Sequence, residues 1–116
     1  MSTSYHKLDE MVRGWFVGDF EPSVERSSDV EVAVKHYVAD EAEERHLHKV
    51  ATELTAVVSG RVRMDGVELG PGDIVRIPPG QPSDFLALTD AVVVAVKMPA
   101  VAGDKYPAED TGTPAC

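Results

Sequence analysis

The stretch that decides the fold is "RHLHKVATELTAVVSG", residues 45–60. It holds two histidines two apart, His46 and His48, then Glu53, then an apolar run that ends at Gly60. In an extended chain, residues two apart point to one face. His46 and His48 therefore project together, and Glu53 and Thr55 project together from the next segment, with Val57 continuing their face. A turn at 49–52 would set these two strands side by side, so that two imidazoles and one carboxylate converge. Glu53 opens an otherwise apolar run, and a buried carboxylate is costly unless it is paired or ligating. At this level two readings stand: a metal site with its strands written around it, or polar punctuation between two strands.

Outward from this stretch the grammar is uniform. "VEVAVKHYVA" (30–39), "RVRM" (61–64), "VEL" (67–69), "IVRI" (74–77), "SDFLAL" (83–88) and "AVVVAVKM" (91–98) are short apolar or alternating runs separated by turn residues. Asp65-Gly66 between two such runs is a two-residue hairpin signal. "GPGD" (70–73) and "PPGQP" (78–82) are further turns. Seven or eight short strands with no room for crossover helices predict an all-β antiparallel sandwich or barrel.

The chain has 116 residues, the size of one domain with one modest core. It carries 20 acidic and 11 basic residues, a formal net charge of -9, which disfavours binding to nucleic acid or to an anionic membrane. The only cysteine, Cys116, has no intrachain partner and reads as a frayed end, not a catalytic thiol. No stretch resembles a signal peptide, and "AVVVAV" (91–96) is far too short to span a bilayer. A soluble, cytoplasmic protein is the default. Residues 1–30 read as an N-terminal arm, with a short helix over 5–12 and the aromatic segment "GWFVGDF" (14–20) to be buried by the domain or by a partner subunit. Residues 31–98 form the domain, and 99–116 an extended tail with a disordered end, in which Asp104, Lys105 and Tyr106 are the features expected to pack.

The spacing His46, His48, Glu53, Gly60 resembles the first conserved motif of the cupin superfamily, although the usual leading glycine is Asp40 here. Gly72, Pro78 and Gly80 resemble the second motif. The resemblance covers roughly residues 30–98 and implies a small single-domain cupin, a jelly-roll (double-stranded β-helix) barrel with a metal in its mouth. It implies His46, His48 and Glu53 as ligands, with a further histidine three residues after Gly80. That position is Ser83, so the resemblance implies a site whose third histidine has been replaced. Water, or Asp84 as a rival ligand, would complete it.

Imidazole and carboxylate suit divalent Fe, Zn, Ni, Mn or Co. Thr55, Met64, Ser83 and Phe85 are candidate cavity residues that would meet a small-molecule ligand. Glu53, if unligated, is a candidate base. Tyr37, if it points inward beside Lys35, is a candidate proton donor to a substrate oxygen. Lys97 interrupts an apolar strand, where on a sheet edge it would block unwanted pairing. The resulting expectation is a metal-dependent enzyme of the oxygenase, isomerase or lyase kind acting on a small polar metabolite. The alternatives are a non-catalytic binding module and a structural protein with a vestigial site. A homodimer is implied by the family resemblance, with "GWFVGDF" as a candidate contact.

Overall fold

The computed structural model describes residues 2–108. Eleven strands follow in order: β1 (Trp15–Gly18), β2 (Glu25–Arg26), β3 (Glu31–Tyr37), β4 (Ala42–Leu47), β5 (Thr52–Ser59), β6 (Val62–Met64), β7 (Val67–Leu69), β8 (Ile74–Ile77), β9 (Ser83–Ala87), β10 (Ala91–Met98) and β11 (Tyr106–Pro107). Where a helix is expected over 5–12 there are two single 3-10 turns, Leu8–Glu10 and Val12–Gly14. Cys116 and the end of the tail lie outside the described residues. No helix among the described residues is long and apolar enough to cross a membrane.

The strands form two sheets, in the orders β2-β1-β3-β10-β5-β8 and β11-β4-β9-β6-β7. This corrects the expectation of a jelly-roll barrel. Closure would require a hydrogen-bonded ladder joining the sheets, and each keeps two free edges instead, β2 and β8 on one, β11 and β7 on the other. The fold is an open, all-β, two-sheet sandwich.

Alternation places the core between the layers. Val57, Val93 and Ile77 from the larger sheet meet Val62, Met64, Phe85 and Ala87 from the smaller one, with Ala91 at the end of the row. Arg61 and Arg63, on the opposite side of β6, stay in solvent. The β6–β7 hairpin turns at Asp65 (φ 51) and Gly66 (φ 78), the paired positive φ values of a type I′ turn. Gly60 takes φ 82, and a Cβ there would stand 2.1 Å from the Asp90 carbonyl oxygen, so this position admits only glycine. Asp40, which stands where the motif carries glycine, adopts φ 75, a conformation Asp tolerates better than most side chains.

Two placements differ from expectation. β4 and β5 do not lie side by side: the turn after His48 carries the chain from one sheet to the other. Lys97 is not on an edge, because β10 is flanked by β3 and β5 along nearly its whole length.

Candidate metal centre

His46 is the next-to-last residue of β4, His48 directly follows the strand, and Glu53 is the second residue of β5. The two histidines thus come from one layer and the carboxylate from the other. All three face the space between the sheets, and one ligand atom from each lies within 4.8 Å of the others. The imidazole rings stand edge to face, 5.3 Å between centroids and 87° apart. His46 Nδ1 lies 2.8 Å from the carbonyl oxygen of Glu44. A carbonyl only accepts, so Nδ1 carries the proton and the Nε2 lone pair is left for a metal. Thr55, buried on the same face as Glu53, donates its hydroxyl to Glu53 Oε2 at 3.0 Å and fixes that carboxylate.

His48 is buried, with Nδ1 3.7 Å from Glu53 Oε1 and Nε2 without a hydrogen-bond partner among the described residues. Burial, reinforced by the charges of Lys97 and His46, pushes its pKa down to about 4. At neutral pH the ring is therefore uncharged and retains a lone pair. A buried nitrogen left unmatched costs about 1–3 kcal/mol. The donor set of two imidazoles and one carboxylate, with this orphaned nitrogen, fits a divalent ion of the type that binds His and Glu.

The turn carrying His48 is held from two sides. Gly80, in the Pro/Gly loop before β9, donates its N–H to the His48 carbonyl at 2.7 Å. Asp104, from the C-terminal segment, accepts from the backbone N–H groups of Lys49 (2.8 Å), Val50 (3.2 Å) and Ala51 (2.9 Å). Burial raises the Asp104 pKa, but the amides of Ala51, Lys49 and Val50 outweigh it, and the net shift is downward.

A second polar group lines the cavity that His46 and Glu53 border. Tyr37 points inward from β3 and donates a short hydrogen bond to Glu43 Oε2, and Lys35 Nζ lies 3.5 Å from the same oxygen. Burial first, then the hydrogen bond to Glu43, drives the Tyr37 pKa well above the usual tyrosine value, so its hydroxyl keeps its proton. Burial also opposes ionisation of Glu43, yet Lys35 and the Tyr37 hydroxyl prevail and hold its pKa below the usual carboxylate range. Phe85 packs on Tyr37 with ring centroids 4.4 Å apart. These groups, with Met64, Ser83 and Trp15, line a cavity of about 200 Å³.

The site corrects the expectation of a cupin whose third histidine has become Ser83. The ligand group that assembles is the His/His/Glu triad itself, and a neutral hydroxyl adds nothing to it as a ligand. Ser83 pairs in register with His46 and lies buried in the cavity wall. Asp84 faces the other way along β9. Its Oδ1 accepts from the Asp65 N–H at 2.9 Å, its Oδ2 lies 4.0 Å from Arg45, and it reaches only the cavity rim. Sequence reasoning missed Trp15, Glu43 and the role of Asp104, and it misplaced Lys97. A charged residue inside an apolar strand was the only local signal among them.

Residues 33–98 match the model of the cupin domain family. The chain belongs to that family, and it is a cupin-fold protein with a candidate metal-binding site. Among solved structures it resembles an uncharacterised double-stranded β-helix protein from Klebsiella pneumoniae, at 24% identity and TM-score 0.64, over 85% of this chain and 87% of that one. It also resembles KdgF from Halomonas sp., at 24% identity and TM-score 0.64, over 84% and 96%. The DMSP lyase DddQ from Ruegeria pomeroyi matches at 22% identity and TM-score 0.61, over 77% of this chain and 46% of that one. At these identities the likeness shows the fold. No curated protein matches the sequence.

Proposed function

We propose that this chain is a metal-dependent enzyme acting on a small polar metabolite held between its two sheets. The observation that carries the proposal is the His46–His48–Glu53 cluster, of which His46 and Glu53 line a cavity that also holds Tyr37 hydrogen-bonded to Glu43. His46, His48 and Glu53 would hold a divalent Fe, Zn, Ni, Mn or Co ion. When bound, the ion would polarise a carbonyl or carboxylate oxygen of the substrate. Thr55 keeps Glu53 oriented for that task. Met64, Ser83 and Phe85 would form the wall against which substrate packs. The Tyr37–Glu43 pair holds one shared proton, carried at the Tyr37 hydroxyl oxygen, and would give it to a substrate oxygen, leaving the added negative charge beside Lys35. That pairing favours a proton-moving reaction, of the isomerase or lyase kind, over one that uses the ligands alone.

The test is elemental analysis of untagged protein after reconstitution with Zn²⁺ or Mn²⁺, comparing wild type with His46→Ala and Glu53→Ala. One ion per wild-type chain, lost in both variants, is the expected result. A wild type that takes up no ion under either condition overturns the proposal.

A homodimer belongs to the same proposal. The outer face of the larger sheet carries Val34, Val94, Ala56 and Ile74 in one cross-strand row, with Val32, Val96 and Leu54 in the next. Ile74 is 69% exposed, and such a continuous apolar face calls for a cover. The N-terminal arm borders this sheet through β1 and would extend the contact.

A further inference from the structure

Lys97 is a charged residue in the middle of the larger sheet, between Glu31 and Glu53. β10 is an interior strand, so no edge needs guarding there. On the inner face Lys97 follows Val93 and Ala95, and its cross-strand neighbours are Glu31 on β3 and Glu53 on β5. Directly opposed side chains on neighbouring strands stand about 5 Å apart at Cβ, so Lys97 is a close neighbour of the metal carboxylate. Yet among the described residues no carboxylate oxygen comes within 4.0 Å of its ammonium group. Its Nζ rests instead 4.8 Å from the centroid of the Trp15 ring.

Lys35 converges on the same indole, with Nζ 5.1 Å from its centroid. Its one carboxylate partner, Glu43, is shared with Tyr37 and lies 3.9 Å from Lys105 as well. Burial lowers the Lys35 pKa, Lys97 and Arg13 add to that, and Glu43 only partly offsets it. Among the residues lining the cavity, Arg13, Lys35, Lys97 and Lys105 stand against Glu43, Glu53 and Asp84, a cationic balance in a chain that is acidic as a whole. Partly buried ammonium groups without full partners are costly unless something anionic joins them.

We infer that Lys97 and Lys35, converging on Trp15, form an anion subsite that takes the carboxylate of a small substrate beside the metal triad. The inference rests on the proposed function only in treating the cavity as the substrate site. A lysine ammonium is a compact point charge, and two of them can share one carboxylate. The cavity of about 200 Å³ has room for roughly seven waters at about 30 Å³ each. That admits a small dicarboxylate or hydroxycarboxylate. One carboxylate of such a molecule meets the lysines, and its other oxygens face the triad.

Trp15 is the only tryptophan of the chain, so its fluorescence reports on this subsite directly. The experiment titrates Zn²⁺-treated protein with malonate, with its neutral isostere malonamide and with inorganic phosphate at low ionic strength. Zn²⁺ content is measured on the same samples. The expected result is a saturable change with malonate that is weakened at least about tenfold with malonamide and in Lys97→Met, and restored in Lys97→Arg. Equal response to malonate and malonamide, an unchanged Lys97→Met, or tighter binding of phosphate than of malonate overturns the inference. Stoichiometric Zn²⁺ with no malonate response removes the subsite and leaves the metal reading intact. A Lys97-dependent malonate response in protein that takes up no Zn²⁺ supports the subsite and removes the metal reading.

Discussion

The backbone N–H of Gly80 donates to the carbonyl of His48 at 2.7 Å, so the glycine of one sequence motif holds the ligand of the other. Gly80 adopts φ 82, and the space where its Cβ would stand is open. The requirement for glycine is therefore conformational, and Gly80→Ala should lower stability by about 1–2 kcal/mol. Zn²⁺ affinity should fall with it, because the loop steadies His48. Gly80→Asn, which tolerates this conformation, should lose less. Urea midpoints and Zn²⁺ titrations of the two variants check this, and equal losses in both would remove the conformational account.

Thr55 reaches Glu53 with a single hydroxyl. Thr55→Val keeps the shape of this buried side chain and deletes the donor. Metal affinity should drop about 10- to 100-fold, in the range seen for groups that orient a ligand. The fold should persist, as judged by an unchanged circular dichroism spectrum. A variant that binds Zn²⁺ like wild type would show that Glu53 needs no such support.

Asp104 makes stability depend on pH in a defined direction. Its folded-state pKa lies below the ordinary aspartate value of 3.8, so in acid the unfolded chain takes up the proton first. The stabilisation is complete above that value and is lost as pH falls through the lowered folded-state pKa. Asp104→Asn should cost about 1.5–3 kcal/mol near neutral pH, since the amide cannot bind three N–H groups with both of its atoms. Denaturant titrations of both proteins from pH 7 downward should converge below the aspartate range. Parallel curves over that interval would show that the carboxylate charge is not the source.

The apolar outer face predicts how the proposed dimer comes apart. Val94 is central in its row, between Val34 and Ala56, and is only partly covered by its own chain. Val94→Lys should convert a dimer to a monomer in sedimentation analysis while metal content stays unchanged. Removal of residues 1–22 should weaken the dimer as well. A mass that neither change alters would place the contact elsewhere.

Strand positions, the Asp65-Gly66 hairpin and the convergence of His46, His48 and Glu53 were legible because each depends on residues near one another in sequence. Alternation puts His46 and His48 on one face whatever the rest of the chain does. Strand order is another matter. Whether Lys97 guards an edge or faces a cavity depends on β3 and β5 flanking β10, pairings set by segments tens of residues away. The same holds for openness: period-two patterning is identical in a closed and an open pair of layers, and only the hydrogen bonds between sheets distinguish them. Asp104 grips amides 53 to 55 positions upstream, a contact no local pattern announces. Ser83 misled because a motif position was taken to define the site, whereas three converging donors define it.

His46 and His48 belong to one layer and Glu53 to the other, so an ion bound to all three is a rivet through both. In its absence the layers are joined at that end by packing, by the turn after His48 and by the contacts of Tyr37 and Lys35 with Glu43. Prying them apart at that end then requires releasing the ion, so its binding free energy adds to whatever already resists opening. Amide exchange in the middle of β4 and β5 should therefore slow together on metal addition, although the two strands share no hydrogen bond.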